Sequence, residues 1–199
     1  CPDTSPRGDD VANDESWQMG QGAGFYVDAT EKPWAAHFQM YSYVTKELPA
    51  LIAENFPADM TRQGIFGHSM GGHGALTIAL KNADTFKSCS AFAPITNPST
   101  ADWSKGALGN YLGSDEAAWA DYDAVRLIEG GARFPEVLVD QGAADNFFEG
   151  CNPHALQEAC AGTDLALTLR LQEGYDHSYF FISTFMDDHL IWHAERLTN

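Results

Sequence analysis

Three side chains in this sequence have the types and spacing needed for acyl transfer through a serine nucleophile. Gly67-His68-Ser69-Met70-Gly71 fits the pattern G-x-S-x-G. In that pattern a strand turns into a helix so tightly that only glycines tolerate the neighbouring backbone, and the serine hydroxyl is left exposed. A serine hydroxyl is a poor nucleophile near neutral pH, so it needs a base within hydrogen-bond reach and a carboxylate to hold that base's tautomer. Asp145 follows the apolar run Glu136-Val137-Leu138-Val139-Asp140 by the short loop Gln141-Gly142-Ala143-Ala144, and His177 follows the run from Leu165 to Leu171 by Gln172-Glu173-Gly174-Tyr175-Asp176. The expected roles are Ser69 as nucleophile, His177 as general base, Asp145 as the acid that orients it, and the backbone N–H of Met70 as one oxyanion donor. The second donor belongs to a loop after an earlier strand, and no strand followed by a glycine-rich loop is visible before Pro2.

Each of these residues has rivals. Asp140 competes with Asp145, but it lies within a strand, where an unpaired charge is costly. His68 and His73 flank the serine too closely in sequence to approach it from another strand, and His154 is a further rival. His189 and His193 stand four apart on one helix, a zinc-ligand spacing, yet Leu190 occupies the place of the glutamate in H-E-x-x-H. They are expected on a solvated helix face, and no metal or cofactor is expected.

The elements that must position these residues alternate. Apolar runs at Gln63–Phe66, Ser88–Ala93, Glu136–Asp140 and Leu165–Leu171 read as strands. Three helices fit the remaining periodicity: Trp34–Asn55, kinked at Pro49, with Phe38, Tyr41, Val44, Leu48, Leu51 and Ile52 on one face; Gly71–Lys81, with Ala75, Ile78 and Ala79 inward; and Tyr179–Leu197. Such alternation predicts an α/β protein with a mainly parallel sheet covered on both faces, its catalytic groups beyond the carboxyl ends of the strands. Cys1 to Gly8 is turn chemistry, a loop entered from a strand that would lie before residue 1. Gly20-Gln21-Gly22-Ala23-Gly24 has glycines spaced like a dinucleotide fingerprint, but no apolar strand precedes it, so it reads as a flexible loop.

Composition narrows the partners. A chain of 199 residues, 44% hydrophobic, can bury one sizeable core, and residues 1–199 are expected to form a single domain. Its net charge of −17 repels phosphate backbones and anionic lipid heads, which argues against nucleic acid and membrane surfaces. Cys1, Cys89, Cys151 and Cys160 contain no C-x-x-C pair; a Cys151–Cys160 bridge is conceivable, but reduced thiols in a cytosol fit better.

Several longer strings resemble the S-formylglutathione hydrolases, also called esterase D. They are Pro2-Asp3-Thr4-Ser5-Pro6-Arg7-Gly8, the stretch from Gly22 to Thr30, Tyr41-Ser42-Tyr43-Val44-Thr45, Ile65 to Ala75, and Arg170 to Tyr179. The resemblance implies an α/β-hydrolase fold whose first strands lie outside this chain, residues 1–199 being its carboxyl-terminal two-thirds. It implies a cytoplasmic serine hydrolase, often a homodimer, that cleaves the thioester S-formylglutathione to formate and glutathione in formaldehyde detoxification. Side activity on short-chain esters goes with it, as do a triad of Ser69, Asp145 and His177 and a place for Trp17 in the wall of the acyl pocket. Trp17 serves equally well as a loop anchor packed on the core. Two other readings stand beside this one: a general short-chain carboxylesterase or acyltransferase, and an inactive remnant kept as a binding or dimerisation module.

Overall fold

The computed structural model describes residues 1–198. The chain divides into two compact units, one made of Cys1–Met60 and Pro98–Tyr122, the other of Thr61–Asn97 and the chain from Asp123 onward.

The second unit carries the sheet. Strands β1 (Gln63–His68), β2 (Phe86–Phe92), β3 (Glu136–Gly142) and β4 (Ala166–Gln172) lie in that order, each parallel to the next. The expected strands are all present, each extended or shifted by one or two residues. Parallel neighbours need crossover connections, and helix α1 (Met70–Lys81) supplies the first, with every residue from Gly72 to Leu80 buried. That burial goes beyond the three inward positions expected, because the helix is apolar nearly all round. Helices α2 (Ala124–Glu129), α3 (Phe148–Cys151), α4 (Pro153–Cys160) and α5 (Tyr179–Leu197) complete the unit. Of these only α5 is evident from periodicity; α2 to α4 are short, though α2 is marked by Asp123, whose side chain accepts from the Arg126 N–H, and α4 by Pro153 at its first turn.

His68, Phe92, Asp140 and Arg170 are paired across the sheet in one row. β1 and β2 end at or next to this row, whereas β3 and β4 stay paired for two residues more, to Gly142 and Gln172, before their loops begin.

Behind this row runs a buried polar chain. His189 and His193 on α5 are 0% and 6% exposed, so the expectation of a solvated face is wrong. Ser88 Oγ lies 2.6 Å from His193 Nδ1, His193 Nε2 lies 2.8 Å from Ser90 Oγ, Ser90 Oγ lies 2.8 Å from His189 Nδ1, and His189 Nε2 lies 3.0 Å from Asp140 Oδ2. One ordering of protons satisfies every atom. Each serine hydroxyl donates to an Nδ1, and each Nε2–H donates onward, ending on the carboxylate. Arg170 Nε (2.6 Å) and Gln172 Nε2 (2.9 Å) complete the shell of Asp140, with Arg170 Nη2 on its other oxygen. Burial works against the Asp140 charge, but the bonds from His189, Arg170 and Gln172 outweigh it and hold its pKa below the ordinary value.

The polar chain has a consequence for acid stability. Burial is the main cause that pushes His193, and likewise His68 at the end of β1, from 6.5 down to about 4. Between those values the unfolded chain binds protons at both sites and the folded chain does not. Stability therefore falls as pH is lowered through this window, with a slope approaching about 1.4 kcal/mol per pH unit for each histidine. The urea midpoint is expected to drop clearly between about pH 7 and pH 5, and a flat midpoint would contradict this burial.

In the first unit the predicted helix Trp34–Asn55 is shorter and irregular. Trp34–Ala36 is a 3-10 turn, and the helix runs from Met40–Ser42 through a π-helical stretch, Tyr43–Glu47, into Leu48–Asn55. The widened turn precedes Pro49, which has no N–H to give the helix. The added residue rotates later positions by about 100°, so Leu51, expected inward, is 53% exposed. Two further helices, Asp102–Leu112 and Glu116–Ala120, lie in this unit; Asp115 caps the second by accepting from the Ala117 N–H. The glycine loop at 20–24, expected to be flexible, is tied down: Gly20 N–H donates to the buried Tyr111 hydroxyl (2.8 Å), which donates to Ala23 O (2.9 Å). Among the described residues no helix is long and apolar enough to cross a membrane, and all four cysteines are free thiols.

Candidate active site

Ser69 sits at the junction of β1 and α1 with φ 55° and ψ −116°, a backbone conformation that L-residues rarely adopt. Its neighbours hold it there. Its N–H donates to Phe92 O (2.9 Å), and its carbonyl accepts from His73 N (2.9 Å) and Ile95 N (3.4 Å). A Cβ on Gly67 would lie 2.3 Å from Gly71 O, which is why the first glycine of the pattern is required. A serine preceding a helix ordinarily caps it, but the Ser69 side chain makes no capping bond. Met70 is the first residue of α1, so its N–H is one of the donors that no helical carbonyl uses, at the positive end of the helix dipole.

Asp145 and His177 are joined by the loops that carry them. Ala143 N donates to Gln172 O (3.0 Å) and Ala144 N to Tyr175 O (2.9 Å), zipping the segment after β3 to the segment after β4. Gly142 makes the close approach possible, since a Cβ there would lie 2.4 Å from Tyr175 O and 2.7 Å from Asp176 O. Gly142→Ala is therefore expected to cost about 2 kcal/mol and to lower activity by moving His177, a paired loss readable as Tm and kcat together.

The histidine's Nδ1 lies 2.7 Å from Asp145 Oδ2, and the carboxylate is fully buried while the imidazole is 17% exposed. The same Oδ2 accepts from Gln141 Nε2 (2.8 Å), and Oδ1 accepts from Phe147 N (2.7 Å). Burial alone would raise the Asp145 pKa; the bonds from His177, Phe147 and Gln141 together keep it below the ordinary carboxylate value. With its Nδ1–H donating to the Asp145 carboxylate, His177 presents Nε2 as a lone pair, the form that a general base needs. The His68 ring packs against His177 at 4.5 Å between centroids, and Phe147 packs edge-on at 5.0 Å. Because burial keeps His68 neutral down to about pH 4, it places no positive charge beside the base.

The sheet unit thus contains Ser69, Met70, Asp145 and His177, at the carboxyl ends of β1, β3 and β4. Asp140 points instead into the polar chain, bonded to Arg170, Gln172 and His189, so the charge expected to be unpaired there is a paired one. Trp17 belongs to the other unit, where it is 70% exposed and stacked on Trp103 at 6.2 Å. Gln141 escaped the sequence reading, although its place one residue past a charged strand end was a signal. Cys151 escaped as well: it is 1% exposed, and burial is the main cause that pushes its thiol up to about 12.

The Esterase family model matches residues 1–192. The S-formylglutathione hydrolase of Paracoccus denitrificans is 57% identical over 196 residues, which is 98% of this chain and 70% of that protein. The mouse S-formylglutathione hydrolase is 53% identical over 202 residues, 99% of this chain and 71% of that protein. The solved S-formylglutathione hydrolase of Agrobacterium tumefaciens superposes with a TM-score of 0.98 at 69% identity, covering 99% of this chain and 72% of that one. The parallel sheet with its helices is an α/β-hydrolase-like fold. Likeness of this extent, carried along nearly the whole chain, places it in the esterase family among the S-formylglutathione hydrolases.

Proposed function

We propose that this chain is a serine hydrolase that cleaves S-formylglutathione to formate and glutathione, with Ser69 as nucleophile, His177 as general base and Asp145 as its orienting acid. The observation that carries this reading is the 2.7 Å bond from His177 Nδ1 to a buried Asp145, with the ring packed on His68, the residue before the strained Ser69. Ser69 Oγ attacks the formyl carbon while Nε2 of His177 takes its proton. The imidazolium so formed is stabilised by Asp145. The oxyanion accepts from the Met70 N–H, a donor worth about 3 kcal/mol in such sites. The proton on Nε2 then goes to the departing sulfur, so that glutathione leaves as the thiol and His177 is neutral again; it deprotonates a water that attacks the formyl carbon, and returns that proton to Ser69 Oγ as formate leaves.

Gln141 is a positioning residue in this scheme, because its amide holds the same carboxylate oxygen that His177 uses. Formaldehyde detoxification, a cytoplasmic location and a homodimer belong to the same reading; the free thiols support a reducing compartment. The test is the ratio of kcat/KM for S-formylglutathione to that for a butyryl aryl ester. A preference of roughly 100-fold or more for the thioester is expected, and a ratio near one would favour a general carboxylesterase.

A further inference from the structure

Beside the proposed dyad lies a thiol that has no part in hydrolysis. Cys151 ends α3, with its Sγ donating to Ala93 O at 3.4 Å, and that sulfur, an Asp145 carboxylate oxygen and a His177 ring nitrogen all lie within 4.8 Å of one another. A thiol, an imidazole and a carboxylate form the donor set of a zinc-type site with three protein ligands. Zinc bonds of about 2.0 to 2.3 Å require these atoms to stand roughly 3 to 4 Å apart, so side-chain shifts of about 1 Å would close the cluster on a metal.

We propose that Asp145, Cys151 and His177 form an inhibitory site for a thiophilic divalent cation such as Zn²⁺ or Cd²⁺. The metal takes the place of the Nδ1 proton between His177 and Asp145. That proton moves to Nε2, the Cys151 thiol proton leaves to solvent, and a sulfur–metal bond forms, so binding releases one proton and changes no oxidation state. Inhibition follows from the tautomer: with Nε2 protonated, His177 cannot accept the proton of Ser69. This mechanism of inhibition rests on the catalytic reading given above; binding of the cation does not.

Cd²⁺ titrated into the full chain tests the two separately. One equivalent is expected to produce sulfur-to-cadmium charge-transfer absorption and release one proton, with hydrolysis lost in parallel. Cys151→Ala is expected to keep its basal activity, lose the absorption and require at least about 100-fold more Cd²⁺ for inhibition, while Cys1→Ser, which changes the exposed thiol, behaves as the parent chain. His177→Ala is expected to weaken cadmium binding whether or not the chain hydrolyses any ester. Equal cadmium affinity in the Cys151→Ala chain, or binding at Cys151 that leaves hydrolysis untouched, would overturn the site. Absence of hydrolysis in the metal-free chain would count against the catalytic reading alone.

Discussion

Ser69→Ala is expected to lower kcat on the order of 10⁵-fold while leaving a folded chain. The size follows from the division of labour: without the hydroxyl no acyl-enzyme forms, and only binding and the oxyanion donor remain to assist water. The backbone adds a second, opposite effect. Ser69 is held at φ 55°, and a non-glycine residue in such a region costs about 1–3 kcal/mol. Ser69→Gly relieves that strain, offset in part by about 0.5–1 kcal/mol of extra unfolded-state entropy. Its Tm should therefore equal or exceed that of the parent while activity is lost to the same extent. Loss of activity with gain of stability separates a nucleophile at a strained elbow from a serine whose removal merely damages the fold. Thermal unfolding and single-turnover kinetics on the two variants would read both effects.

Asp145→Asn is the second large effect, a fall in kcat on the order of 10³- to 10⁴-fold. The carboxylate accepts three bonds, from His177, Gln141 and the Phe147 N–H, and an amide offers only one oxygen. If that oxygen stays with Phe147, the NH₂ group faces both His177 and Gln141. His177 must then present Nδ1 as an acceptor and carry its proton on Nε2, which is the wrong tautomer for deprotonating Ser69. Gln141 can respond by turning its Oε1, which has no hydrogen-bond partner among the described residues, toward the new amide. The fold should for that reason survive with a modest loss of Tm, and KM should change far less than kcat. A variant within tenfold of the parent kcat would show that Asp145 is not the orienting acid.

How much of this was legible in the sequence differs from place to place for physical reasons. The strands and the triad candidates could be read because buried parallel strands are short apolar runs and because G-x-S-x-G encodes a backbone constraint, here the 2.3 Å clearance at Gly67. The spacing of Asp145 after β3 and His177 after β4 could be read from loop length alone. The interior role of His189 and His193 could not. Their partners Ser88, Ser90 and Asp140 lie 49 or more positions away, and a polar residue on a helix looks solvated until the sheet beneath it is known to be polar as well. The same limit hid Gln141, whose meaning depends on which way the loop after β3 turns. The helix around Pro49 failed for a local reason: a π-helical turn shifts the phase of the apolar stripe, and no residue in Tyr43–Glu47 announces it. The glycines at 20–24 read as a flexible loop, yet their anchoring by Tyr111 is a contact across 91 positions that no local pattern reveals.

The central claim is that Ser69 is a nucleophile activated through His177, and labelling with a fluorophosphonate tests it most directly. Intact-mass measurement of the treated chain should show a single adduct, located on the peptide that contains Ser69, formed far more slowly in His177→Ala and absent in Ser69→Ala. A folded chain that takes up no label, or one still labelled once Ser69 is replaced, would contradict the account.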